Sequence, residues 1–388
     1  MAALDFVLPG DPATLTGGYL YDRRIVEGLG RIGWTVRVLR LGDDFPGASP
    51  GSLRGAEDAL ESIPEDAAVV VDGLALADLA ATLERHAPRL RVVALVHHPV
   101  ADETGLDART AARLRRDEQR ACRATRGVIV TSRWTARRLA VDGLPADRIR
   151  IVEPGTDRPE RRGGHDDESA GRTDPVSRAR LGLPVASAAA ASAPRASGAL
   201  DARRLLCVAT LTERKGHLLL LEALARIADR PWRLDCVGSA ARDPVTAAAV
   251  RARIADLGLD GRVALHGEVS RDRLDELYRH AHAFVLPSFL EGYGMAHAEA
   301  LAHGLAIVST NAGAVPDTVG DAGLLVPPGD VDALAAALAR LLDDDALHAA
   351  LSARARERGA ALPTWADASE RFASAVAALA GLSPSVGA

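Results

Sequence analysis

Ser288-Phe289-Leu290-Glu291-Gly292-Tyr293-Gly294-Met295-Ala296-His297-Ala298-Glu299 stands directly behind an apolar run at residues 283–286. The run reads as a buried strand, and the spacing from Met295 onward reads as a helix. Between them, Gly292 and Gly294 allow backbone to come close to a neighbour with no Cβ in the way. A strand, a glycine turn and a helix in that order form the repeating unit of a parallel sheet covered by helices.

Working outward, the same unit recurs on both sides. Residues 4–8, 34–41, 68–71, 92–96, 127–130 and 149–152 are strand candidates, most of them followed by a helical stretch, the first over residues 19–32. A second series has strands at 205–209, 233–237, 263–265, 283–286, 305–309 and 323–326. Between the series the periodicity collapses into an Arg/Gly, Asp/Glu/Ser and Ala/Ser/Pro stretch. A structureless loop of that length inside one compact domain would be unusual, so 158–202 is expected to be a flexible interdomain linker. The fold class is therefore α/β, with two doubly wound domains at 1–157 and 203–362 facing each other across a cleft. An amphipathic helix at 365–379, within a terminal segment 363–388, is expected to pack back on the first domain.

The 388 residues suit two or three domains of ~100 to 200 residues each. Hydrophobic residues at 48% and charged residues at 26% exclude a disordered or fibrous chain. A net charge of −5 argues against a dedicated nucleic-acid binder, which needs a basic surplus to neutralise phosphates. Cys122, Cys207 and Cys236 are odd in number and widely spaced, so neither a disulfide framework nor a zinc knuckle is expected. The start of the chain lacks the basic and long apolar regions of a signal peptide, and a cytoplasmic location is expected. Of 47 Lys+Arg residues only Lys215 is lysine, which singles out a position where a compact ammonium is needed.

Lys215 lies in Thr210-Leu211-Thr212-Glu213-Arg214-Lys215-Gly216, the turn after the first strand of the second series. Basic side chains at the carboxyl edge of such a sheet, beside a helix start, suit a diphosphate. Glu291 just before its helix and Glu299 a little over one turn inside it could accept hydroxyl hydrogens of a sugar or ribose; alone, each also reads as an ordinary helix charge. Gly17-Gly18-Tyr19 opens the first helix, where backbone N–H groups could meet a phosphate or simply turn the chain. His97-His98-Pro99 ends the fourth strand, so one imidazole should face the cleft, with Asp102 and Glu103 near enough to orient it. Nothing matches a P-loop or a dinucleotide-binding glycine motif. Asp343-Asp344-Asp345, between two helices, reads as a cap rather than a metal site. Arg109, Arg113, Arg116, Arg120 and Arg123, spaced 4, 3, 4 and 3, line one helix face. An ordinary solvated face is expected there, with contact to anionic lipid the less favoured reading.

Taken together these residues resemble the retaining glycosyltransferases of family 4, with two Rossmann-like domains in the GT-B arrangement. The resemblance covers most of the chain outside 158–202. It implies transfer of a sugar from a nucleotide diphosphate sugar to an acceptor hydroxyl with retention. With no Asp-x-Asp at a strand end, and with Lys215 and helix starts available to take the phosphate charge, neither cofactor nor metal is expected. The resemblance further implies that Glu291 and the backbone of Gly292, Tyr293, Gly294 and Met295 hold the donor sugar, that Glu299 holds the ribose, and that Lys215 holds the diphosphate. Gly17 and Gly18 match the family's glycine loop. His97 matches its catalytic histidine, with His98 as the competing choice. Residues 313–315 and 325–330 also look like family segments. Where the family has Gly-Arg-Leu, this chain has Ala209-Thr210-Leu211, so Thr210 stands in place of an arginine that Arg214 would have to replace. A nucleotide-sugar epimerase of the same architecture and a non-catalytic nucleotide-sugar-binding protein are the alternatives. The acceptor is not specified by the sequence.

Overall fold

The computed structural model describes residues 2–159 and 202–382. Most of the expected linker and the last six residues lie outside the described residues. The strands are β1 (Ala3–Pro9), β2 (Thr35–Leu41), β3 (Ala68–Asp72), β4 (Arg91–Val96), β5 (Gly127–Val130) and β6 (Ile149–Ile151), then β7 (Arg203–Val208), β8 (Trp232–Val237), β9 (Val263–Leu265), β10 (Ala283–Leu286), β11 (Ala306–Thr310) and β12 (Gly323–Val326). They form two six-stranded sheets, ordered β2-β1-β3-β4-β5-β6 and β12-β11-β10-β7-β8-β9. Every pairing within them is parallel. All carboxyl ends of a sheet therefore share one edge. In each sheet the order reverses beside the first strand of the series, which is where such sheets open a crevice.

The residue types dictate this arrangement. Val69, Val70 and Val71 are fully buried, as a strand covered on both faces requires. Alternate residues go to opposite faces: Phe6 and Leu8 of β1, with Val93 and Leu95 of β4, point into one layer, while Val7, Val92, Ala94 and Val96 point into the other. The second sheet is enclosed by a single continuous core in which Trp232, Tyr278 and Phe284 are its largest fully buried side chains.

The layer over Phe6 and Leu8 is closed by a helix from the far end of the chain. Trp365–Ala380 opens with a capping box between Thr364 and Asp367. Its Trp365, Phe372 and Val376 pack with Tyr21, Ile25 and Leu29 of the helix Gly17–Arg31. Arg91 donates to the carbonyls of Ala380 at 3.2 Å and Gly381 at 3.0 Å, taking two acceptors at the helix's C-terminal end. The expected return of the terminal helix to the first domain is thus present, one residue longer than the spacing indicates.

Arg109, Arg113, Arg116, Arg120 and Arg123 of the helix Ala108–Ala124 are all exposed. Arg120 pairs with Glu84 at 2.8 Å and Arg113 with Asp117 at 3.8 Å, as on a solvated face. Asp344 accepts from a backbone N–H at a helix start, the capping role read from the sequence, and Asp330 caps its helix in the same way. Among the described residues no helix is long and apolar enough to cross a membrane.

Phe372→Ala should remove about 3 to 5 kcal/mol of stability, the usual cost of emptying a fully buried phenyl site. Urea unfolding of the variant measures this, and a loss below about 1 kcal/mol would show that the helix is not seated on the first core.

Candidate functional site

The two carboxyl edges meet, and the residues singled out from both halves converge there. Lys215, in the turn after β7, donates from Nζ to Oε1 of Glu291 at 2.7 Å. Ser288 Oγ donates to the same oxygen at 2.6 Å. The backbone of Glu291 is braced in turn, its carbonyl accepting from the N–H of Ala314 at 2.9 Å within the 313–315 segment. Burial alone would raise the carboxyl pKa of Glu291, but Lys215 and then Arg214 outweigh it and hold the group at about 2. For Lys215 burial prevails, and its pKa lies below the ordinary lysine value despite Glu291.

Arg214 turns the other way. Its Nη1 donates to the Leu290 carbonyl at 2.7 Å, and its Nε lies 2.8 Å from Oε1 of Glu103 in the first domain. The second oxygen of Glu103 meets Nε2 of His98 at 3.1 Å. Glu103 does orient an imidazole, as its proximity in sequence indicates, but that imidazole belongs to His98. Asp102 is engaged elsewhere, by Arg115 at 2.8 Å and Arg138 at 2.9 Å. Thr210 sits half-buried in the turn and its carbonyl accepts from Thr212.

His97 lies at the junction of both domains. A Cβ on Gly292 would stand 2.5 Å from the His97 carbonyl oxygen, so only glycine permits the second domain's loop to come this near. Cβ positions at Gly18 and Gly17 would fall 3.4 Å from His97 Cδ2 and 3.5 Å from Met295 Sδ, so the first glycine loop reaches the same point. Tyr293 is buried and its carbonyl accepts from Thr318 Oγ1 at 2.5 Å. Glu299 accepts from the Tyr278 hydroxyl at 3.0 Å and from Arg271 at 3.3 Å. Burial raises its pKa, with Arg271 opposing.

Sequence reasoning missed two carboxylates. Oδ1 of Asp22 and Oδ2 of Asp72 each stand 3.2 Å from Nε2 of His97, and both residues are 2% exposed. Asp72 ends β3 at the carboxyl edge, and Asp22 falls on the apolar face of its helix with Ile25 and Leu29, so an acid on a core-facing stripe was the available signal. Among the described residues, these three form the one group whose donor atoms, within 4.8 Å of each other, could share a cation. Burial would lower the His97 pKa, but Asp22 and Asp72 together raise it to about 10.

Helix starts complete the site. The helices Gly17–Arg31, His217–Arg226 and Met295–Ala302 begin at this edge with Thr16, Gly216 and Gly294 as N-caps, none of which supplies a side-chain hydrogen bond. Their first N–H groups are thereby left for an anion.

Comparison with known proteins agrees with this architecture. Residues 16–159 match the family model described as Glycosyltransferase Family 4, and residues 202–344 the one described as Glycosyl transferases group 1. O-antigen chain mannosyltransferase B of Escherichia coli is 40% identical over 24% of this chain and 25% of its own length. D-inositol 3-phosphate glycosyltransferase of Xylanimonas cellulosilytica is 32% identical over 62% of this chain and 54% of its own. The chain thus spans about half, or less, of the curated relatives it matches. Sucrose-phosphate synthase from Thermosynechococcus elongatus superposes with a TM-score of 0.76 at 23% identity, covering 99% of this chain and 100% of that one. Anabaena HepE, solved in complex with UDP and glucose, gives 0.71 at 17% identity, covering 97% and 100%. With the two family models falling one on each sheet and the two-domain fold shared throughout, the chain belongs to the family 4 glycosyltransferases of GT-B architecture.

Proposed function

We propose that the chain transfers a sugar from a nucleotide diphosphate sugar to an acceptor hydroxyl, with retention of the anomeric configuration. The observation that carries the reading is the buried contact of Lys215 with Glu291, set beside uncapped helix starts where two carboxyl edges meet. That arrangement offers an ammonium and free N–H groups to a diphosphate, and a carboxylate to sugar hydroxyls, within one small space. HepE, of the same fold, is described with UDP and with UDP-glucose, which supports a nucleotide-sugar donor. The relatives named for inositol phosphate and mannosyl transfer support a transferase of sugars.

In the proposed reaction Lys215 and the helix N-termini neutralise the charge that grows on the leaving diphosphate, the main catalytic term. Glu291 and the backbone from Gly292 to Met295 hold the sugar, and Glu299 holds the ribose. The acceptor oxygen bonds to the anomeric carbon as the bond from that carbon to the phosphate oxygen breaks. The departing phosphate takes the acceptor proton on the same face, which gives retention. Arg214, tied to Glu103, serves as the second cation near the diphosphate in place of the arginine absent at Thr210. No metal is needed for this charge balance, and transfer should persist in EDTA.

Incubation with labelled UDP-, GDP- and ADP-sugars and a panel of hydroxyl acceptors tests the proposal. Labelled product of unchanged anomeric configuration is expected. Isomerised donor, or saturable binding without turnover, would overturn it. Lys215→Arg should lower kcat by up to ~10² to 10³, since a planar guanidinium cannot occupy the ammonium's point and a positioned donor to the leaving group is lost. Wild-type kinetics in that variant would remove Lys215 from the mechanism.

The two glutamates should separate in calorimetry. Glu299→Ala weakens the bare nucleoside diphosphate as well as the donor, because the ribose contact is common to both. Glu291→Ala reduces transfer while bare nucleotide stays nearly as tight. Equal losses in both variants would erase the distinction between their roles.

A further inference from the structure

His97 is fixed more firmly than the contact of one side chain requires. Its carbonyl accepts from Thr131 Oγ1 at 3.0 Å and Thr135 Oγ1 at 3.2 Å, which locks the backbone at the end of β4. The ring of Tyr21 stands edge-on to the imidazole with centroids 5.3 Å apart. Nε2 then lies midway between Asp22 and Asp72, 3.2 Å from each. Neither Nε2 nor Oδ1 of Asp22 finds a partner in hydrogen-bond geometry, so the ring is held between two charges rather than aimed at one. Asp72 is itself anchored, its other oxygen accepting from the N–H of Leu74 at 2.9 Å.

We propose that Asp22 and Asp72 are positioning residues that clamp His97 as a permanent imidazolium, so that it serves sugar transfer as a hydrogen-bond donor and never as a base. The proposal rests on the functional reading above for its catalytic half and on geometry alone for its structural half. Two buried carboxylates facing a neutral ring would leave two charges uncompensated in a dry site, a cost of several kcal/mol per ion. A proton on the ring compensates one of them directly. With Nε2–H turned to the carboxylates, the imidazolium has Nδ1–H to offer and no lone pair, which excludes proton abstraction from the acceptor. This agrees with a route in which the departing phosphate takes that proton. The groups around the ring are Tyr21 and Asp22 from the helix Gly17–Arg31 and Asp72 from β3; Tyr19 of the same helix, whose pKa burial and then Asp72 raise, lies within reach of both carboxylates. His98 follows in the chain and is already taken by Glu103. From the second domain, Gly292 and Met295 bring no ionisable side chain.

Two measurements test the clamp. In histidine-labelled protein, NMR should find the His97 ring, assigned with His97→Gln, carrying both protons through pH 9. In Asp22→Asn and Asp72→Asn its midpoint should fall toward ~6.5, the value of an unperturbed histidine. Transfer by the two variants should drop on the order of 10² in kcat, with a smaller change in donor KM, and acquire a loss of activity as pH rises through neutrality that the wild type lacks. A wild-type His97 that titrates near neutrality overturns the clamp. So does a divalent metal bound stoichiometrically to the purified protein and lost in Asp72→Asn, and so does a pH profile unchanged by both substitutions. If the NMR result holds and no donor is ever turned over, the clamp stands and the transferase reading fails.

Discussion

The site is organised by one buried ammonium–carboxylate contact, Lys215 to Glu291. Taking two charges out of water costs several kcal/mol per ion, and a pair of this kind persists only when its remaining hydrogen bonds are met. Here Ser288 supplies one, and the 313–315 segment fixes the backbone behind the carboxylate. The contact links the turn after β7 to the turn after β10, and those strands are neighbours in the sheet. From the registered loop, Gly292 reaches the carbonyl of His97 in the other domain. The pair thus ties the loop to the turn after β7, alongside the bond from Arg214 to the Leu290 carbonyl.

Ser49, Asp107, Ser132, Asp243, Ser270, Asp330, Asp344 and Thr364 each bond a backbone N–H at the start of a helix. Such caps are typically worth about 1 kcal/mol. The helices at Gly17, His217 and Met295 forgo them. Local stability is given up at these three starts, whose free N–H groups face the cleft, while Asp72, also in the site, keeps its cap on Leu74.

Much of this was legible in the sequence. All twelve strands follow from apolar runs bounded by turn residues; central ones such as β3, buried on both faces, have few alternatives to Val, Ile, Leu and Ala, while the edge strand β2 also carries Arg37 and Arg40. Lys215, Glu291 and Glu299 stand out through composition and spacing. What stayed hidden depends on contacts between elements far apart in the chain. Asp22 sits on a helix and Asp72 ends a strand, and no local pattern says that they enclose His97. Nor does proximity in sequence decide between histidines: Glu103 turned out to hold His98, while Asp102 joined Arg115 and Arg138.

The terminal helix carries a consequence for how the protein is made. The first sheet is complete in hydrogen bonds once β6 exists, yet one of its apolar faces is covered by Trp365, Phe372 and Val376. The contact between Arg91 and Ala380 spans 289 residues of sequence. At a synthesis rate of ~5 to 20 residues per second, that face waits on the order of tens of seconds on the ribosome for its cover. The nascent chain therefore carries an open hydrophobic surface through most of its own translation, and the first domain reaches its final packing only after the second has been made.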